Sequence, residues 1–242
     1  MKLALISDIH GNLEALQAVL KDIESQQVDQ IHCLGDVIGY GCDPVACLHL
    51  VADHCDAKLM GNHEYAAIGI LPGEAMNIHA RQSIQWTVSQ LTDREISLIA
   101  GFEMTAEQDD CLLVHASPYE PDGWHYVLAP HEATEAFGHT ESRLVFHGHT
   151  HLPVVYCLTP VGRIRTIVAY DFDPDEESRY LINVGSVGQP RDNDPRACYV
   201  MHDTGEDTIS YRRVKYDISA TQAKMCQAEM PRMLIDRLQA GR

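Results

Sequence analysis

The sequence predicts an α/β fold built on two β-sheets. Between residues 3 and 64, apolar runs alternate with amphipathic stretches as strand, helix, strand, helix, strand, which argues a parallel sheet with crossover helices. From Val154 onward the pattern changes to strands joined by short turns, which argues a second, mostly antiparallel sheet. The strands of the first half also end in polar residues able to hold metal, and open α/β sheets gather their ligands at the carboxyl ends of strands.

Leu3 to Ile6 is an apolar run bounded by turn residues, as expected of a strand covered on both faces. It gives way to Asp8 and His10 and then to Gly11-Asn12; side chains at i and i+2 can face one ion where the backbone bends. Leu13, Leu16, Leu20 and Ile23 mark one face of a helix capped by Asn12. Gln30 to Leu34 is a second strand ending in Gly35-Asp36. Asp43-Pro44 reads as an N-cap and first position of a helix reaching about residue 54. Ala57 to Met60 is a third strand, ending in Gly61-Asn62-His63-Glu64. Residues 74 to 100 are expected to be helical in two pieces, the second opened by a capping box from Thr92 to Glu95. A hairpin follows, Phe102 to Thr105 and Cys111 to Val114, ending in His115. The loop from Ala116 to Pro130 carries Tyr119, Trp124 and Tyr126, a candidate wall or lid. Glu132 to Phe137 is a short helix, and Arg143 to Phe146 is a strand ending in His147-Gly148-His149-Thr150-His151. The later strands are 154–158, 163–169, 180–184, 197–202 and 207–215. Ser219 to Gln222 caps a C-terminal helical segment, about 219–240, interrupted at Pro231. No linker sets this segment apart, so residues 1–242 are expected to form one domain.

Lys plus Arg (18) against Asp plus Glu (35) leaves a net charge of −17. That surface repels nucleic-acid polymers and anionic membranes, while a small anionic substrate is still admissible where bound cations invert the local field. The cysteines include no Cys-x-x-Cys pair, and those near His49 and His54 fit no common zinc spacing. With no signal peptide and no membrane-length apolar run, the chain is expected to be cytoplasmic with reduced thiols.

Five strand ends thus carry Asp8 and His10, Asp36, Asn62 and His63, His115, and His149 and His151. Carboxylate plus imidazole suits borderline divalent ions, manganese, iron, nickel, cobalt or zinc. The set is too large for one open catalytic ion and about right for two ions sharing a carboxylate, the arrangement that clamps a phosphoryl centre during hydrolysis. Asp8-x-His10, Gly35-Asp36, Gly61-Asn62-His63-Glu64, His115 and Gly148-His149-x-His151 resemble, in order, the motif set of the calcineurin-like metallophosphoesterases, and the chain is most similar to the small bacterial and archaeal phosphodiesterase-like branch. The resemblance spans about residues 3 to 200. It implies a four-layer αββα sandwich of two mixed β-sheets.

It also implies roles. One metal would be held by Asp8, His10, Asp36 and His151, and the other by Asp36, Asn62, His115 and His149, with Asp36 bridging. Manganese is the favoured ion, with iron, nickel, cobalt, zinc or magnesium as alternatives. His63, with Asp36 the second residue assigned to catalysis, would contact the substrate phosphate and the leaving oxygen, and the nucleophile would be a metal-bridging hydroxide. Asn12 and Glu64 would shape the loops, and Asn12, Tyr40 and Arg191 are the substrate-binding candidates. For Tyr40 a packing role, and for Arg191 a salt bridge to Asp192 or Asp194, weigh as much. His147 reads as structural and His125 as a loop residue near the substrate or simply solvated. Asp171 to Glu177 mimics the start of a calcium loop, but Glu176 stands where Gly is needed and Pro174 intrudes, so it reads as a solvated turn.

The expected activity is hydrolysis of a small phosphodiester, a nucleotide among the candidates. A phosphomonoesterase or dinucleoside polyphosphate hydrolase comes next. A non-catalytic scaffold of this architecture, such as the retromer subunit, or a nuclease stands further back. The intact ligand set with His63 favours an enzyme. No membrane or nucleic-acid partner is expected, and oligomeric state is left open.

Overall fold

Lys2–Ile6, buried from its second residue on, forms β1 at the centre of the first sheet. The structure is a computed structural model and describes residues 1–71, 76–108, 110–168 and 171–242. α1 (Leu13–Gln26), β2 (Gln30–Cys33), α2 (Pro44–His54) and β3 (Ala57–Lys58) complete the expected parallel unit, and α3 (Asn62–Ala67) follows at once. Asn12 caps α1 by accepting from the Ala15 N–H at 3.2 Å. α4 (Ile78–Gln90) and α5 (Asp93–Ile99) are separate helices, and Thr92 with Glu95 forms the expected capping box. Positions 74–75 of the predicted helical stretch, and 169 of a predicted strand, lie outside the described residues.

β4 (Thr105–Gln108) and β5 (Cys111–Val114) make the hairpin, then α6 (Pro130–Phe137), β6 (Leu144–His147), β7 (Val154–Leu158), β8 (Ile164–Val168) and β9 (Arg179–Asn183). β10 (Ala197–Asp203), β11 (Thr208–Val214), α7 (Ile218–Gln227) and α8 (Arg232–Ala240) end the chain. The first sheet runs β11-β10-β1-β2-β3 and the second β4-β5-β6-β9-β7-β8.

Four expectations are corrected. The strands predicted over 197–202 and 207–215 belong to the first sheet, because β10 pairs antiparallel with the free edge of β1, Leu5 opposite Val200. Both faces of β10 are apolar, Val200 turning to the inter-sheet core and Tyr199 to the helix-side core, so it has to be an interior strand. The second sheet is mixed rather than mostly antiparallel, since β5, β6 and β9 are parallel neighbours. The first hairpin strand lies at Thr105–Gln108, not Phe102 to Thr105; pairing Gln108 with Cys111 closes the turn, while Phe102 sinks into the helix-side core. At α7 the cap is Asp217, which accepts from Ala220 N–H at 3.0 Å, rather than Ser219.

Three apolar seams separate four layers. Leu16, Val19, Leu48 and Val51 seat α1 and α2 on the first sheet; Leu5, Leu34, Leu113 and Phe146 fill the space between sheets; Val145, Leu181 and Ala133 join the second sheet to α6. No helix among the described residues is long and apolar enough to cross a membrane.

Candidate metal centre

The loops after β1, β2, β3, β5 and β6 meet at one edge of the sandwich. Asp8, His10, Asp36 and His151, all buried, present ligand atoms within 4.8 Å of one another, and Asp36, His115 and His149 form a second such group. Asp36 belongs to both.

The backbone bends as the sequence required. Asp8 (φ 54°), His10 (50°), Asp36 (53°), His149 (65°) and His151 (60°) all take left-handed conformations. Each costs roughly 1–2 kcal/mol in a non-glycine residue, and such strain clusters where a site demands it. Loop-to-loop bonds hold it: Asp8 N–H donates to Gly35 O at 3.0 Å, His10 N–H to Asp36 O at 2.9 Å, and Gly188 N–H to Asp8 O at 2.9 Å. Ser186 Oγ donates to Asp8 O at 2.8 Å and Asn183 Nδ2 to Gly148 O at 2.6 Å, so the Asn183-to-Gly188 segment laces two ligand loops together. Gly39, at φ +82°, is obligatory, since a Cβ there would fall on the imidazole of His63.

The histidine and carboxylate ligands are oriented from behind. The Nδ1–H of His10, His115 and His151 donates to the carbonyls of Ile38 (3.1 Å), Leu34 (2.8 Å) and Gln189 (2.6 Å), and His149 Nε2–H donates to Trp124 O (3.0 Å). The remaining nitrogens therefore face inward, where each ring, once neutral, presents the lone pair that metal-bound histidines use. Likewise one oxygen of each carboxylate is held by a backbone N–H, Asp8 Oδ2 by His149 and Asp36 Oδ1 by His63, both at 3.0 Å. The other oxygens point into the cluster, with His115 Nε2 3.4 Å from Asp36 Oδ2 and His151 Nε2 3.2 Å from Asp8 Oδ1.

These residues fit a divalent cation. His10 Nε2 lies 3.1 Å from His151 Nε2, and His115 Nε2 3.2 Å from His149 Nδ1. Facing lone pairs at that distance repel unless a proton or a cation lies between them. Asp8 Oδ1 and Asn62 Oδ1 are buried without a hydrogen-bond partner. Burial opposes the carboxylate charge at Asp8 and Asp36, but His151 holds Asp8, and His115 and His63 hold Asp36, below the usual range. Burial pushes His149 down to about 3 and His63 to about 4; at His115 the Asp36 charge overcomes burial and lifts it to about 9.

His63 stands against the ligands, its Nε2 4.0 Å from Asp36 Oδ2, wedged between the rings of Tyr40 (4.6 Å) and His10 (4.7 Å). Glu64 accepts from the N–H groups of Asp36 (2.8 Å), Gly61 (2.9 Å) and Ile38 (3.1 Å), and burial raises it to about 7. Asn12 is committed to the fold: besides capping α1 it donates to Gly188 O at 2.9 Å. His125 stacks on Tyr119 in the outer loop, and His147 is buried beneath it all. A cavity of about 280 Å³ opens beside His63, lined by Tyr40, Asn62, Trp124, Tyr126 and His149. The alternative role of Arg191 falls away, because Asp192 pairs with Arg213 and Asp194 with Arg196. The carbonyl of Trp124 carried no sequence signal, since a backbone oxygen is common to every residue.

The calcineurin-like phosphoesterase superfamily domain matches residues 1–207. An uncharacterized protein of Methanocaldococcus jannaschii is 35% identical over 249 residues, covering 99% of this chain and 98% of that one. The structure of a metallophosphoesterase from Sphaerobacter thermophilus is similar with a TM-score of 0.89 and 36% identity, over 100% of this chain and 99% of the other. A hypothetical protein from Pyrococcus horikoshii OT3 shares the fold, with a TM-score of 0.79 at 16% identity over 100% and 98% of the two chains.

Proposed function

The chain belongs to the calcineurin-like phosphoesterase superfamily, and on that footing we propose that it is a dinuclear, metal-dependent phosphodiesterase acting on a small substrate. The observation that carries this reading is the sharing of Asp36 between two buried ligand groups. Asp8, His10, Asp36 and His151 would hold one ion, and Asp36, Asn62, His115 and His149 the other. When bound, two divalent ions supply an activated water and neutralise charge on the phosphoryl oxygens. Manganese suits this oxygen and imidazole set.

The chain's own residues do the rest. His63 is a neutral imidazole that donates a hydrogen bond to a phosphoryl oxygen as charge develops there and to the leaving oxygen as it departs. Tyr40 lines the cavity and Arg191 reaches Tyr126 on its wall; both bind substrate, and the cavity walled by Trp124 and Tyr126 excludes water and receives the organic group. Its size suits a small ester and not a polymer, in keeping with the charge of −17.

The test compares a chromogenic phosphodiester with the matching monoester, using metal-stripped protein reloaded with manganese, nickel, magnesium or zinc. Diester turnover that depends on metal and is lost in Asp36→Asn and His63→Ala supports the proposal. Monoester turnover alone replaces it with a phosphomonoesterase.

A further inference from the structure

Arg191 is held in place without being neutralised. Its Nη2 donates to Gln189 Oε1 at 3.1 Å and its backbone N–H to His151 O at 3.3 Å, while its Nε is buried with no acceptor. The two nearest carboxylates in sequence are taken by Arg213 and Arg196. The side chain reaches Tyr126, and its charge acts on Tyr40, His63 and His151.

The C-terminal helix brings a second guanidinium to the same spot. Leu234, Ile235 and Leu238 of α8 pack with Tyr40 in one apolar cluster. The end of α8 is tied to the loop carrying Arg191, with Asn193 N–H donating to Gly241 O at 2.9 Å and Arg242 Nε to Asn193 Oδ1 at 3.0 Å. Arg237, in the last turn, donates to the Arg242 carbonyl and interacts with both Arg191 and Tyr40. Burial first, and then the charge of Arg191, pull Arg237 down to about 10. Neither arginine forms an ion pair with an acidic side chain among the described residues, in a chain with 35 acidic side chains against 18 basic ones. Two half-buried like charges repel each other, and an anion between them relieves that repulsion.

We propose that Arg191 and Arg237 form a subsite for a second phosphate of the substrate, so that the ester hydrolysed carries a further phosphate group near the scissile one. A phosphate dianion has enough acceptor oxygens to engage both guanidinium forks, and it satisfies the buried Nε of Arg191. Tyr40 borders the arginines on one side and His63 on the other, which sets the second phosphate one small organic unit away from the reacting one. The cavity of about 280 Å³ is sized for that unit. α7 and α8 lie beyond the stretch matched by the family domain, so this selectivity is added to the shared catalytic core. The inference rests on the hydrolase reading above.

The test uses the manganese-loaded full chain and two chromogenic esters differing only in the second phosphate, the p-nitrophenyl ester of thymidine 5′-phosphate with and without a 3′-phosphate. The wild type is expected to favour the 3′-phosphorylated ester about tenfold in kcat/KM, the scale of one charge-assisted hydrogen bond. That ratio collapses toward one in Arg237→Gln, through KM, and is largely restored in Arg237→Lys, which keeps the charge and controls for folding. Calorimetry with thymidine 3′,5′-bisphosphate and thymidine 5′-monophosphate reads the subsite without turnover. Turnover with no preference in the wild type, or a preference untouched in Arg237→Gln, overturns the subsite. A binding preference lost in Arg237→Gln without turnover by any metal-loaded form upholds the subsite and refutes the hydrolase reading. Neither binding nor turnover refutes both.

Discussion

Gly39→Ala tests whether the position of His63, and not merely its presence, sustains turnover. At φ +82° an alanine bears a left-handed penalty, and its Cβ would occupy the space of the His63 ring. That ring cannot slide aside without cost: it is buried, with Tyr40 at 4.6 Å and His10 at 4.7 Å. The backbone penalty and the overpacking together cost roughly 2–5 kcal/mol of stability. The expected loss of rate is larger, about 10²–10⁴-fold, because a displaced imidazole forfeits its contact with the reacting group. The assay is kcat on the chromogenic diester for Gly39→Ala, His63→Ala and the double variant, each with its thermal midpoint. The single variants should fall to similar rates, and the double variant no further, since both remove one interaction. A Gly39→Ala protein that turns over at the wild-type rate would refute the wedge geometry.

Other outcomes follow from the same site. Adding manganese to stripped protein at about 100 times its Kd should raise stability by roughly 2.7 kcal/mol for each occupied site, about 5 kcal/mol for two, read from the thermal midpoint, and Asp36→Asn should lose most of that gain. Below pH 6.5 the unfolded chain takes up protons that His63 and His147, both held near 4, refuse in the fold, so metal-free protein should lose stability as pH falls from 6.5 to 4. His115, raised to about 9, works the other way: its contribution is complete below 6.5 and lost as pH rises toward 9, so urea unfolding should place the optimum near 6.5. A stability profile flat from pH 7 to 4 would count against both shifts. Phe146→Ala empties the inter-sheet seam and should cost about 3–5 kcal/mol in urea denaturation without changing metal stoichiometry.

The candidate centre was legible because each motif sits on a turn that follows its own strand, so the strand ends offered the ligand types, while the grouping of His10 with His151 and of His115 with His149 came from the resemblance. The sheet membership of β10 was not. A strand apolar on both faces satisfies either sheet, and only the unpaired edge of β1 decides between them. Arg237 was illegible for a related reason. It joins the entrance through the docking of α8 under Tyr40, a long-range contact with no periodic trace in the chain.

Each ligand group draws on both sheets, Asp8, His10 and Asp36 hanging from the first and His115, His149 and His151 from the second. An occupied centre therefore works as a clasp on one margin of the sandwich, while the opposite margin is joined by apolar contact and a few polar side-chain links, Arg143 to Asp207 at 2.8 Å and Gln108 to Gln30 at 3.0 Å. Such a body opens like a book fastened at its fore-edge. Amide exchange in the loaded protein should then be slowest at the carboxyl ends of β1 and β6 and quicken toward their amino ends, and stripping the metal should level that gradient.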